Sequence, residues 1–359
     1  MTNTPKLYIA GMGMVTPVGG NVAMTAAALN AKISAYKSSY FTTKDDEKIT
    51  MARVPDEKIG EFQGTIAEGS RFNPRHDRVT RIAILALKQA CEQHTTEQAV
   101  PLLLAMPEVK TDSEGLSSFV ENLASNIQPW INPSISRSMH SGRAGGMEAL
   151  DFAFKYLHGP QYPYILIGGS DSHEDSSRLM PLDENKRLLT LGAADAFAPG
   201  EAASFLLLTP QIELAQQRNG KVIAIYAPGI ADETGHLFSE TPYLGDGLDQ
   251  AFKKALVNQP EQNINSIYSS MNGENHWAKE YGVAFLRNRK KFKNPVNTEH
   301  PADCYGDLGS ATATTLIALA AEDLFKSTNA QAHLVYSSSD TAKRGAVVVE
   351  KLNANVRIS

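Results

Sequence analysis

The residue types most suited to chemistry gather around one short turn. Ser138-Met139-His140-Ser141-Gly142 offers two hydroxyls and an imidazole, and it feeds a stretch in which Met147, Leu150, Phe154 and Leu157 recur at three- and four-residue steps. That spacing predicts a helix with one apolar stripe. A polar turn opening a buried helix is a place where α/β enzymes hold a nucleophile, because the helix N-terminus stabilises negative charge. Other reactive types stand far away in the chain: Cys304 lies just before Asp307, and His276, His300, Glu274 and Glu299 lie nearby. The intervals of these last four match no metal-ligand spacing such as HxxxH, so no metal is expected. Gly11 and Gly13 begin a GxGxxG-like string, but Thr16 replaces its third glycine. A plain tight turn accounts for it better than a dinucleotide site, and no cofactor is expected.

The elements that must position these residues follow from patterning. Lys6–Gly11 reads as a strand, and Asn21–Ala31 as an alanine-rich helix capped by Asn21. Residues 36–75 are polar and read as an irregular excursion. Arg78–Cys91 is an amphipathic helix that turns Cys91 inward, and Leu116–Ile127 is another helix. Val100–Met106 and Tyr162–Gly169 are apolar throughout, as in strands buried on both faces. Phe197–Leu208 passes from a Pro-Gly turn into a third such strand. A second series begins at Lys221–Tyr226. It continues through the helix Gly247–Val257, the strand Ile264–Ser270, the helices Asn275–Asn288 and Ser310–Phe325, and the strands Ala332–Tyr336 and Gly345–Glu350. The two series rhyme in order, each with one long helix rich in small residues, Ser141–Leu157 and Ser310–Phe325, which points to duplicated α/β halves.

Composition narrows the function classes. Hydrophobic residues make up 42% and charged residues 20% of 359, with a formal net charge of −5. Mild acidity argues against nucleic acid or an anionic membrane as partner. No apolar run approaches the roughly 20 residues needed to cross a bilayer. The first residues carry no basic and apolar leader, and two cysteines make no disulfide framework, so a cytoplasmic location is expected. Arg287, Arg289, Lys290, Lys291 and Lys293 form a basic cluster at a helix end. It is either a solvated C-terminus or a contact for an acidic partner.

Four segments together resemble one family. Ile9–Gly19 (IAGMGMVTPVG) is similar to the opening of β-ketoacyl synthases of the thiolase superfamily. Gly168-Gly169-Ser170-Asp171 resembles that family's strand-end motif. Phe197–Leu208 resembles its Pro-Gly-Glu-Gly-Ala segment, with Ala202 for a glycine. Tyr305–Ala311 resembles its late Gly-His-x-Gly-Ala motif. The resemblance implies an α/β fold of thiolase type, five-layered α/β/α/β/α, with two pseudo-duplicated halves at 1–210 and 220–359. It also implies a dimer.

The family's chemistry is Claisen condensation of acyl thioesters, which needs a cysteine thiolate and two histidines, or a histidine and an asparagine. Each matching position departs from that set. Met139 stands where the cysteine belongs, Asn272 where the first histidine belongs, and Asp307 where the second belongs. A thioether forms no thioester, and an ionised aspartate donates no hydrogen bond to a carbonyl. Asp340–Gly345 replaces the family's Gly-Phe-Gly-Gly loop. The expectation is a non-catalytic, ketosynthase-like binding scaffold, adaptor or chaperone-like partner. It would form a homodimer or pair with an active paralogue, with an acyl carrier protein or a cargo protein as further partners. The alternative is a rewired acyltransferase, thioesterase or hydrolase in which His140 pairs with Asp307 and Ser138, Ser141 or Cys304 is the nucleophile.

Overall fold

The computed structural model describes residues 5–66, 74–108, 118–156 and 162–354. With shorter insertions set aside, among them the edge strand Gly229–Asp232 and the helix Ser176–Glu184, two series of elements repeat one order, strand-helix-strand-helix-strand-helix-strand-strand. The first is β1 (Lys6–Val15), α1 (Pro74–Cys91), β2 (Leu102–Ala105), α2 (Phe119–Asn126), β3 (Arg137–Met139), α3 (Gly145–Tyr156), β4 (Ile165–Ser172) and β5 (Glu201–Thr209). The second is β6 (Lys221–Tyr226), α4 (Asp246–Leu256), β7 (Ile264–Tyr268), α5 (Asn275–Arg287), β8 (Phe292–Glu299), α6 (Thr312–Lys326), β9 (Ala332–Ser338) and β10 (Lys343–Asn353). In space the first half runs β1-β5-β4-β2-β3 and the second β6-β10-β9-β7-β8. Parallel and antiparallel pairings also correspond: β2 is parallel to β3 and β4, and β7 is parallel to β8 and β9. The halves join where Lys6–Tyr8 of β1 pairs antiparallel with Ala224–Tyr226 of β6.

Side-chain alternation along the strands builds three cores and hence five layers. In β5, Leu206 and Leu208 face the central core while Phe205 and Leu207 face the outer core beneath α1 and α2. In β10, Val347 and Val349 face the central core and Val348 the outer core beneath α4 and α5. Helices α3 and α6 fill the middle layer, with Leu150 and Phe154 of α3 and Leu316 and Ile317 of α6 all in the central core. Burial on both faces explains why these strands are apolar throughout. Helix α6 is enclosed from Thr312 to Ala321 and is apolar or small there for the same reason, and it turns charged only in its last turns.

Several boundaries differ from sequence expectation. The first strand continues through Val15, held by β5 along its length. The helix Val22–Asn30 is capped as expected, with Asn21 Oδ1 accepting from the Met24 N–H at 2.8 Å. The stretch expected to be irregular contains a hairpin, Tyr36–Thr42 with Lys48–Ala52, whose Ile49 and Met51 pack on Leu179 and Leu188. Strands β3 and β8 were not expected, because RSM and FKNPVNTE carry no apolar alternation and are defined by pairing to a neighbour. The helix expected from Ser141 begins at Gly145, after a 3₁₀ turn, and Leu157 lies outside the described residues, as do Leu116 and Ser117. No helix among the described residues is long and apolar enough to cross a membrane.

Candidate functional site

Two matching turns face each other at the carboxyl ends of the parallel strands, where open α/β sheets place their ligands. In the first half the chain leaves β3 at Met139, bends at Gly142 with φ +50°, makes a 3₁₀ turn over Gly142–Ala144 and enters α3. In the second half it bends at Gly309 with φ +53°, makes a 3₁₀ turn over Gly309–Ala311 and enters α6. The left-handed backbone is why both bends carry glycine. At Gly309 a Cβ would also lie 2.1 Å from Asp171 Oδ2.

Between the turns lies a buried ionic network. From the first half, Arg143 donates through Nη1 to Asp307 Oδ2 at 2.6 Å, through Nη2 to Asp340 Oδ1 at 2.6 Å, and through Nε to the Ser338 carbonyl at 3.0 Å. Its guanidinium stacks 4.3 Å from the Trp277 ring. Arg187 grips both oxygens of Glu274, at 2.6 and 2.9 Å, and reaches Asp340 Oδ2 at 2.7 Å. Asn272 Nδ2 donates to Asp307 Oδ2 at 2.8 Å and to Glu274 Oε2 at 3.1 Å. The Gly309 N–H donates to Asp307 Oδ1 at 2.8 Å, and His173 Nε2 stands 3.7 Å from that same oxygen. Planar guanidinium forks suit this bidentate role.

The network sets protonation. Burial alone would raise the Asp307 carboxyl, but Arg143, His173 and Asn272 override it and hold Asp307 well below the usual carboxylate range. Burial also opposes ionisation of Asp340, and Arg143 and Arg187 reverse that, so Asp340 too is lowered. Glu108 goes the other way: burial and the neighbouring Asp340 push its carboxyl up. Asp307 is therefore a carboxylate that accepts and does not donate.

The residues picked out in the sequence are placed as follows. Asn272 and Asp307 are brought into direct contact. Met139 is buried in the central core at the end of β3, and Arg143, further along the turn, is the side chain that meets Asp307. Ser138 and His140 are exposed, whereas Asp307 is buried. Ser141 is buried and does not cap the helix; its hydroxyl bonds to the Glu148 carboxylate. Cys304 sits on the short helix Ala302–Tyr305, beside a separate cleft of about 600 Å³ with Tyr268 and His333 in its wall, and burial pushes its thiol pKa up. The structure does not gather His140, Asp307 and a Ser or Cys nucleophile into one set. In the basic cluster, Arg287 pairs with Asp246 and Asp249, and Arg289 bonds the carbonyls of Phe292 and Lys293.

Sequence reading missed Arg143, Arg187, Glu274, His173 and Asp340 as members of one site. Arg143 carried a signal, since a cation next to the bend glycine and before an apolar stripe needs a buried partner. Arg187 and His173 follow a helix and a strand and carried none. Beside the network a cavity of about 330 Å³ opens between Glu108, Gly142, His173, Arg178, Phe197 and Phe238.

No protein-family model matches this sequence, and no curated protein matches it. Solved structures do match. The ishigamide ketosynthase/chain length factor aligns over 97% of this chain and 99% of its own at 14% identity, with a TM-score of 0.75. The ketosynthase from module 6 of the bacillaene synthase of Bacillus subtilis 168 aligns over 96% and 72%, also at 14% identity and a TM-score of 0.75. The AntDE:AntF complex, a type II PKS acyl-carrier protein with its ketosynthase, aligns over 97% and 99% at 13% identity, with a TM-score of 0.73. With its two repeated halves, five layers and facing turns, this chain has the thiolase-like fold of the ketosynthases.

Proposed function

We propose that this protein is a non-catalytic ketosynthase-like subunit that acts in the cytoplasm by binding protein partners, as a scaffold, adaptor or chaperone-like partner. One observation carries the reading: Asp307, itself bonded by Asn272, is met by the guanidinium of Arg143. A thioester-forming site needs a thiolate, and a guanidinium has no lone pair free to attack a carbonyl. Asp307, held ionised by Arg143, would repel an enolate. A partner role is supported by the short strand β3. Among the described residues it pairs with β2 on one side only and exposes Arg137 and Ser138 at the sheet edge, where a second chain could add. The neighbours named for a ketosynthase/chain length factor and for a carrier-protein complex are assemblies, which suits a homodimer or a pairing with a catalytic paralogue.

Intact mass after incubation with malonyl- and octanoyl-CoA, and with the acylated carrier protein, tests the first half. No adduct is expected, and a stable acyl group on Cys304, Ser138 or Ser141 overturns it. Light scattering, alone and with a co-expressed ketosynthase, tests the second. A strict 38.9 kDa monomer in both settings sinks the partner role.

A further inference from the structure

The cavity beside the network has a property that the network alone does not need. His173 is 7% exposed, lines the cavity, and has no hydrogen-bond partner on either ring nitrogen among the described residues. Its ring is fixed edge-on to Phe197 at 5.9 Å, with Nε2 3.7 Å from Asp307 Oδ1. Nε2 faces the Asp307 carboxylate at a distance too long for a good hydrogen bond and Nδ1 has no bond at all, so a ligand that hydrogen-bonds the ring removes a cost of burial.

The charges around the cavity say what kind of ligand this is. Each lining cation already faces a carboxylate: Arg143 meets Asp307 and Asp340, Arg187 meets Asp340, and Arg178 lies 3.6 Å from Asp171. A charged head would therefore enter a place whose charges are matched and find none to answer it. Of the other lining residues, Glu108 accepts from the Ser339 hydroxyl and the Asp340 N–H, Asn185 is polar, and Pro107, Pro181, Leu182, Phe197 and Phe238 make an apolar wall, with Phe238 42% exposed at the mouth. About 330 Å³ is the size of a small organic molecule's site.

We propose that this cavity binds a small, electrically neutral ligand with an apolar, aromatic-compatible body and one hydrogen-bonding head seated on His173. The inference rests on the non-catalytic reading of the site, since the ligand is held and not turned over. The acyl-adduct assay reports on that reading alone, so the two fail separately.

Calorimetric titration of the full chain with 4-propylphenol, 4-propylbenzoate and 4-propylbenzylammonium, one body with three heads, is the test. The neutral phenol should bind saturably at one site, and both charged analogues should bind at least about tenfold more weakly. His173→Phe should weaken the phenol by about tenfold or more, the usual scale for one lost buried hydrogen bond. Leu182→Trp, on a partly exposed helix, should abolish binding by filling the cavity while circular dichroism stays unchanged. It serves as the control should His173→Phe fold poorly. Absence of saturable binding, equal binding of a charged analogue, or unchanged phenol affinity in folded His173→Phe or folded Leu182→Trp overturns the proposal.

Discussion

The two bends that open α3 and α6 are one backbone device used with opposite charge. Each is a left-handed glycine followed by a 3₁₀ turn and a buried helix. In the first half the residue after the glycine is Arg143, and at the matching place in the second half it is Ser310. Two residues before the second glycine stands Asp307, where the first half has the exposed His140. Each bend is gripped by a strand end of the opposite half. Ser337 Oγ donates to the Arg143 carbonyl at 2.7 Å, and the Ser310 N–H donates to Asp171 Oδ2 at 3.0 Å. The symmetric frame thus delivers an unsymmetric pair, cation from one half and anion from the other. The difference teaches that duplication supplies the position, and the individual side chain supplies the interaction.

Breaking the pair should have the largest effect. Arg143→Ala leaves Asp307 and Asp340 buried without their shared cation, and it should cost about 3–5 kcal/mol in urea denaturation. Arg143→Met combined with Asp307→Leu should recover part of that, because the Asp307 charge is gone and Asp340 keeps Arg187. A double-mutant cycle on the two positions should give a coupling of about 2–3 kcal/mol. Additive losses would mean that the two bends are not coupled through this contact.

Acid titration sharpens the same point through its sign. Asp307, Asp340 and Asp171 are all lowered in the folded state. Their contribution is therefore present above the unfolded carboxylate value of about 3.9, and it is lost as pH falls through their folded values. The wild type should hold its stability from neutrality down to about pH 4 with respect to these groups. In Arg143→Ala the burial of Asp307 is no longer offset by its main cation, so its carboxyl should rise and acidification from pH 7 to about 5 should stabilise the variant. A variant whose thermal midpoint falls with acid over that range contradicts this electrostatic account.

The remaining changes are smaller. Ser310→Ala, the counterpart of Arg143 in the other half, removes a hydroxyl that donates to the Ser170 carbonyl at 3.3 Å, and should cost about 1 kcal/mol. His140→Ala, the counterpart of Asp307, should change stability by no more than about 0.5 kcal/mol, because the side chain is on the surface. A large loss from His140→Ala in the same denaturation assay would show that the first bend leans on its imidazole, and the contrast between the halves would fail.

Asn272 and Asp307 were legible as a site because their segments carry short motifs whose order along the chain resembles a family. Asn272 follows the end of β7, and Asp307 lies between the short helix Ala302–Tyr305 and the turn that opens α6. Arg187 and Glu274 were not legible. They lie far apart in the chain and meet only because the excursion after β4 folds back over the ends of the second half's strands. His140 and Ser141 show the converse. Their types and spacing suggested a hydrolytic set, and the three-dimensional path of one turn sends His140 to solvent and binds Ser141 to Glu148.

By itself the sequence determined the elements that are buried over all or most of their length. Strands β2, β4, β5 and β9, the middle of β10 and the first turns of helix α6 have no choice of environment, so their composition declares them. The duplicated order followed from these. Only the tertiary structure decided which charges pair, because a buried arginine is satisfied by whichever carboxylates reach it, and that depends on distances between segments remote in sequence. It also decided that Arg143, and neither Met139 nor His140, faces Asp307, since a single left-handed glycine between β3 and α3 redirects every side chain that follows.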